Sequence, residues 1–274
     1  MSDRYAVFGN PIKHSKSPDI HRAFAESTSQ ALTYEAICVP EAEFEAQVKA
    51  FLSEGGGLNI TVPFKQRAWA LSDVRSPRAE LAGAVNTLYQ NEKGQICGDN
   101  TDGIGMVRDI ISNHGGIIKD KKVLILGAGG AVRGVLQPVL EQQPSKVVIA
   151  NRTASKAVEL AALVEEFGDV QGCGYETLGR ECFDLIINGT SASLHGELPP
   201  LPDQILAENA WCYDMMYAAE PTAFCRWASE KGAVKALDGL GMLVEQAAQS
   251  FYIWRGVEPD TTAVIQQLRS SLTA

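Results

Sequence analysis

Apolar positions in this chain fall into short continuous runs that alternate with stretches of helical period, and that alternation predicts its elements. The most telling run is Lys122-Val-Leu-Ile-Leu126, which breaks into Gly127-Ala-Gly-Gly-Ala131 and then into a helical pattern. A parallel strand covered on both faces reads this way, and the glycines mark a tight turn into a helix N-terminus. A second apolar run, Val147-Val-Ile-Ala150, follows at the distance of a βαβ unit. Upstream, strands are predicted over Arg4–Gly9, Tyr34–Val39 and Leu58–Val62. A helix is expected after Ser17, with Ser17 as its N-cap and Pro18 at its first position. Another spans Glu41–Ser53, where Phe44, Val48, Phe51 and Leu52 share one side. Leu81–Tyr89 and Ile96-Cys97 flank the turn-like Asn91-Glu-Lys-Gly94 and predict a hairpin. Downstream come a helix over Ala154–Phe167 and strands near Val170 and over Phe183–Gly189, Ala210–Tyr217 and Ala233–Leu237. Two final helices, Gly241–Trp254 and Thr261–Leu272, close the pattern.

The glycine-rich turn carries the first chemistry. Backbone at Gly127, Ala128, Gly129, Gly130 and Ala131 approaches a pyrophosphate closely, and free N–H groups at the positive end of the helix dipole hold its charge. Val132 stands where the usual fingerprint has its third small residue. An NAD site places an acid after the second strand to grip the ribose 2′-hydroxyl; here that place is taken by Asn151, Arg152 and Thr153, with Lys156 just beyond. A guanidinium cannot accept a bond from a hydroxyl, but it clamps a 2′-phosphate, so the expected cofactor is NADP. The element order then predicts an α/β protein of two domains. Residues 1–101 form an open α/β substrate-binding domain and 102–238 a Rossmann-like NADP-binding domain, while the helices of 239–274 return to pack on the first.

Composition narrows the partners. A formal charge of −9 without any Lys/Arg-rich run argues against nucleic acid, whose binding rests on phosphate neutralisation. Neither a signal-like segment nor an apolar run of membrane-spanning length stands in the sequence, so a cytoplasmic protein with no membrane partner is expected, as a monomer or homodimer. Six cysteines without a C-x-x-C pair read as reduced thiols. His21, His114 and His195 lack ligand spacing, His14 reads as a loop-ordering residue, and no metal is expected.

Polar residues cluster where predicted strands end: Ser15 and Ser17, Asn59 and Thr61 with Lys65, Asn86 and Thr87, Asn100 with Asp102. Such ends line the ligand crevice of open α/β sheets, and hydroxyls, amides and one ammonium suit a small polyhydroxylated acid. A dehydrogenase passes hydride to carbon and a proton to oxygen, so it needs an acid/base group; Lys65 supported by Asp102 is a sensible couple.

The segments Gly9-Asn-Pro-Ile-Lys-His-Ser-Lys-Ser-Pro18, Asn59-Ile-Thr-Val-Pro-Phe-Lys65, Gly83-Ala-Val-Asn-Thr87, Gly98-Asp-Asn-Thr-Asp-Gly103, Asn151-Arg-Thr153, Tyr213-Asp-Met-Met-Tyr217 and Gly239-Leu-Gly-Met-Leu-Val-Glu-Gln246, with the glycine-rich turn, resemble the shikimate dehydrogenase family in order and spacing. The resemblance covers nearly the whole chain and extends to the NADP-dependent biosynthetic branch. It implies reversible reduction of 3-dehydroshikimate to shikimate. It also implies roles: Ser15 and Ser17 on the substrate carboxylate; Thr61, Asn86 and Gln246 on ring hydroxyls; Lys65 and Asp102 as the catalytic pair; Tyr217 on the substrate side; Met215 and Gly239 beside the nicotinamide. The alternatives are a quinate/shikimate dehydrogenase preferring NAD and a non-catalytic nucleotide sensor of the same fold.

Overall fold

The computed structural model describes residues 3–179 and 181–273. Two compact units divide the chain, one running up to Gly105 and including Val244–Gln266, the other comprising Met106–Leu243 and the segment from Gln267 on.

The first unit is built on strands β1 (Asp3–Gly9), β2 (Leu32–Cys38), β3 (Gly57–Ile60), β4 (Val74–Arg75), β5 (Thr87–Gln90) and β6 (Ile96–Asp99), hydrogen-bonded in the order β2-β1-β3-β5-β6-β4. β1 runs parallel to β2 and β3, whereas β5 is antiparallel to both of its neighbours. Helices α1 (Ser17–Ser27), α2 (Phe44–Leu52), α3 (Lys65–Leu71) and α4 (Pro77–Ala82) belong here, and α5 (Asp102–Arg108) begins here. Phe8, Phe44, Val48, Leu58, Ile60, Phe64 and Leu88 fill the core, with Phe44 and Phe64 stacked at 4.4 Å.

Local chemistry trims several predicted elements. Ser17 does not cap α1: Lys16 holds that position without a side-chain bond, and the Ser15 hydroxyl accepts from the Ser17 N–H at 3.3 Å. β3 stops at Ile60 because the Thr61 carbonyl accepts from Phe64 N–H and closes a turn. The expected strand over Leu81–Tyr89 begins only at Thr87. Ahead of it Ser76 caps α4 by accepting from Ala79 N–H, Gly83 ends that helix at φ 60°, and Ala79 and Ala82 are apolar for helix packing.

The second unit holds an all-parallel sheet of β7 (Lys122–Leu126), β8 (Lys146–Asn151), β9 (Val170–Gly174), β10 (Phe183–Asn188), β11 (Leu206–Asp214) and β12 (Lys235–Asp238). Its order, β12-β11-β10-β7-β8-β9, is that of a dinucleotide-binding sheet, with the reversal of strand order between β7 and β10. α6 (Gly130–Leu140), α7 (Ala154–Ala162) and α8 (Ala223–Glu230) cross between strands. α7 ends five residues before Phe167, the remainder being a separate 3-10 turn, and β11 ends at Asp214, which leaves Met215 to Tyr217 in a loop. α5 runs into a π-helical turn over Asp109–Asn113. There the buried Asp109 carboxylate accepts from the Tyr213 hydroxyl at 2.7 Å and the Asn113 amide at 2.9 Å. Two helices follow, α9 (Leu240–Arg255) and α10 (Thr262–Thr273). Among the described residues no helix is long and apolar enough to cross a membrane.

The part of α9 in the first unit packs on its sheet. Trp254 donates from Nε1 to the Leu88 carbonyl at 3.2 Å and stacks on Tyr5. Beside it His21 lies flat on Tyr34 at 4.2 Å, edge-on to Phe24, with neither ring nitrogen hydrogen-bonded. Desolvation there pushes the imidazole pKa down to about 3, the neighbouring Asn59 side chain opposing the shift. Because the folded value lies below the unfolded 6.5, the unfolded chain binds the extra proton, and stability falls as pH drops from about 6.5 toward 3. His21→Phe should therefore flatten the loss of stability between pH 7 and pH 5 by up to about 2 kcal/mol. Urea midpoints of both proteins at the two pH values check it.

Candidate active site

In the first unit, β5 runs against β3 and β6, so its start meets their carboxyl ends. That geometry brings together Thr61 after β3, Asn86 before β5 and Asp102 after β6. Lys65, the first residue of α3, reaches the same place. Its Nζ donates to Asp102 Oδ2 at 2.7 Å, the two side chains being 31% and 16% exposed. The other oxygen, Oδ1, accepts from Asn86 Nδ2 at 2.8 Å. Asn86 cannot flip, because its Oδ1 is taken by the Thr101 N–H at 3.0 Å and the Thr87 hydroxyl at 2.8 Å. Gln246 on α9 lies against the same amide, Oε1 accepting at 3.3 Å. A backbone bond from Val85 N–H to the Lys65 carbonyl at 2.9 Å ties the lysine to this strand end.

Thr61, Ser15 and Ser17 are half-buried around the strand ends, Ser17 near the Tyr34 phenol. His14 is exposed on the loop before α1. The arrangement offers an amine nitrogen able to give a proton as ammonium or take one as neutral amine, a carboxylate in contact with it, and hydroxyl and amide groups for a hydroxylated ligand.

Asn59 stood in the predicted polar cluster, but its partners, and the Arg78, Asp99 and Ser76 group, were not singled out from the sequence. Asn59 is buried, accepting from the Tyr34 hydroxyl at 2.7 Å and donating to the Asn86 carbonyl at 3.0 Å. Arg78 grips the Asp99 carboxylate in a fork, 2.7 and 2.5 Å, and the Ser76 hydroxyl joins it at 2.5 Å, fixing the strand that leads to Asp102. These partners are 21 to 27 residues apart in sequence, and no local spacing announces them.

The remaining predicted residues belong to the second unit. Gly127 adopts φ 104°, a left-handed conformation a side chain would strain, and its N–H donates to the Ala150 carbonyl at 2.8 Å. Gly129 and Gly130 are exposed, and a Cβ on either would meet nothing within 4 Å, so the space over the α6 N-terminus is open. Val132 is fully buried and fits because Gly189 has no side chain: a Cβ there would stand 2.3 Å from Val132 Cγ2. The close helix–strand approach that a third small residue normally supplies comes from the neighbouring strand. At the end of β8, Arg152, Thr153 and Lys156 are exposed, no side chain caps α7, and Asn151 donates to the Thr153 carbonyl at 3.0 Å, shaping the loop. An open helix N-terminus and a basic strand end without an acid fit a dinucleotide bearing a 2′-phosphate.

Met215 is buried after β11, and a side chain at Gly239 would collide with the Met215 carbonyl at 2.4 Å, so those two backbones are in contact. Buried Asp214 accepts from Thr222, Asn188 and the Met216 N–H, and desolvation raises its pKa against those bonds. Tyr217 is half-buried; burial, then the Asp238 charge, pushes its phenol upward. Among the described residues no three His, Cys, Asp or Glu side chains gather as metal ligands; the His195 side chain lies outside those described.

Comparison with known proteins shows the family. Family models described as "Shikimate dehydrogenase substrate binding domain", "Shikimate / quinate 5-dehydrogenase" and "Shikimate 5'-dehydrogenase C-terminal domain" match residues 7–88, 109–195 and 239–269. A protein of Alkalilimnicola ehrlichii named shikimate dehydrogenase (NADP(+)) is 59% identical over 270 residues, 98% of this chain and 99% of its own. An Ael1 enzyme from Pseudomonas putida has a crystal structure that superposes with a TM-score of 0.91 at 51% identity, over 97% of this chain and 98% of that one. Shikimate 5-dehydrogenase of Thermus thermophilus, crystallised with NADP(H) and shikimate, gives a TM-score of 0.85 at 34% identity over 98% of this chain and 100% of its own. With family models across both units and a relative 59% identical from end to end, the chain belongs to the shikimate dehydrogenase family.

Proposed function

We propose that this chain is a cytoplasmic enzyme that reversibly reduces 3-dehydroshikimate to shikimate with NADPH, in the pathway that builds aromatic amino acids. The observation that carries the chemistry is the 2.7 Å Lys65–Asp102 pair with Asn86 on the other carboxylate oxygen. When bound, NADPH supplies hydride to the substrate's carbonyl carbon. As the C–O double bond becomes single, negative charge gathers on oxygen, and the Lys65 ammonium delivers a proton there; in the reverse direction the neutral amine takes it back. Asp102 accepts from the Lys65 ammonium and so limits its rotation. Ser15 and Ser17 are assigned to the substrate carboxylate, and Thr61, Asn86 and Gln246 to ring hydroxyls, with Tyr217 also on the substrate side. Gly127 to Ala131 are assigned to the pyrophosphate, Arg152, Thr153 and Lys156 with Asn151 to the 2′-phosphate end, and Met215 and Gly239 to the nicotinamide.

Initial rates with shikimate or quinate, each paired with NADP⁺ or NAD⁺, test the reading: turnover is expected chiefly with shikimate and NADP⁺. Comparable rates with quinate or NAD⁺ would make the chain a broader dehydrogenase, and no rate in any pairing would make it a nucleotide-binding protein. Lys65→Ala should lower kcat about 10²–10⁴-fold; a change confined to KM would make Lys65 a binding residue only. Arg152→Ala should reduce the preference for NADP⁺ over NAD⁺ by roughly tenfold to a hundredfold, the worth of one charge-assisted bond to phosphate. An unchanged ratio of the two kcat/KM values would remove Arg152 from the cofactor site.

A further inference from the structure

The buried polar cluster beneath Asn86 has a definite direction when its protons are counted. Asn86 Oδ1 accepts from the Thr101 N–H, so it is an oxygen, and the Thr87 hydroxyl 2.8 Å away must donate to it. Thr87 has a single proton. The Ser250 hydroxyl, 2.7 Å from Thr87 Oγ1, must then be the donor of that contact, since two acceptors would repel. An isolated helical serine would bond back to the carbonyl four residues earlier, here Gln246 at 3.1 Å; the shorter contact draws the proton to Thr87 instead. Ser250 in turn accepts from Asn59 Nδ2 at 3.0 Å, and Thr101 Oγ1 stands 3.3 Å from it. Ser250 and Thr87 are fully buried, and Asn59 and Asn86 nearly so. Each donor therefore has no water to turn to.

We infer that Ser250 is a positioning residue for the reaction: it anchors a one-way hydrogen-bond chain, Asn59 to Ser250 to Thr87 to Asn86 to Asp102, that fixes the carboxylate holding Lys65. The inference rests on the functional reading given above. Ser250 touches neither Lys65 nor Asp102 and acts through Asn86. In a buried chain each bond polarises the next and alternative orientations leave polar atoms unpaired, so removing one hydroxyl loosens the distant carboxylate. The same side chain joins α9 to the strand ends, and the helix that carries Gln246 thus reports to the Asn86 amide by two routes, directly and through Ser250.

Ser250→Ala and Thr87→Val each remove one hydroxyl from the chain with little change of volume. Expected are a kcat for shikimate oxidation lowered about 5- to 30-fold in each and a double variant no slower than the worse single, because both cuts sever one chain. The KM for NADP⁺ should stay within about twofold of wild type. Thr87→Ser, which keeps the hydroxyl, should recover most of the kcat lost in Thr87→Val. Phe251→Leu, a packing change at the next residue of the same helix, should lower Tm without lowering kcat. Losses that multiply in the double variant, or a fall in kcat that follows Tm in Phe251→Leu as well, would make Ser250 a packing residue and overturn the inference. Should the wild-type protein turn over no hydroxy acid, the functional reading fails separately. The Asn86 side-chain amide resonances in a ¹⁵N spectrum then decide the chain: a shift on Ser250→Ala supports it, and unchanged resonances overturn it.

Discussion

A carboxylate and an ammonium held in contact at the mouth of a buried polar cluster impose the constraint from which the first unit's architecture follows. Lys65 and Asp102 are partly exposed, whereas the groups behind them are removed from water. Buried polar atoms without partners cost more than most contacts gain, so the strand ends beneath the pair are saturated with hydrogen bonds. Asn86 is the junction: its oxygen is committed to Thr101 and Thr87, which leaves its nitrogen for Asp102. The antiparallel course of β5 makes this possible, because it turns the start of one strand toward the ends of two others.

The second unit meets a different requirement, room for a phosphorylated guest, and answers it largely with backbone. The space over Gly129 and Gly130 leaves the N-terminus of α6 open, and exposed basic side chains stand at the end of β8. Val132 shows how such a requirement is redistributed. Its bulk would push the helix from the sheet, and the absence of a side chain at Gly189 takes up the difference. A glycine fingerprint is thus a statement about distances between backbones, which more than one residue can satisfy.

Much of the fold was legible in the alternation of apolar runs and helical stretches. The parallel strands β7, β8 and β10 and the start of α6 declared themselves because strands buried on both faces are apolar throughout and glycines punctuate the turn. The short elements were not. The last residues of α4, Leu81 and Ala82, read like the beginning of a strand, and the Ser76 cap and the left-handed Gly83 mark them as helix. Ser17 has the composition of a cap, but the helix already begins at Ser17 and Lys16 holds the cap position.

The sequence by itself singled out the lysine and aspartate that the fold brings into contact, the glycine-rich turn ahead of α6, and the arginine exposed at the end of β8. It also determined the class of fold, since period and run length follow from the covalent repeat of strand and helix. Tertiary structure alone decided which atoms face each other. That Asn86 turns its nitrogen to Asp102, that Arg78 clamps Asp99, and that a serine on α9 anchors Thr87 are facts of partners 16, 21 and 163 residues apart. Hydrogen bonds are directional and short-ranged, so their pairing is fixed only when packing has brought distant segments within about 3 Å, and no local spacing encodes it.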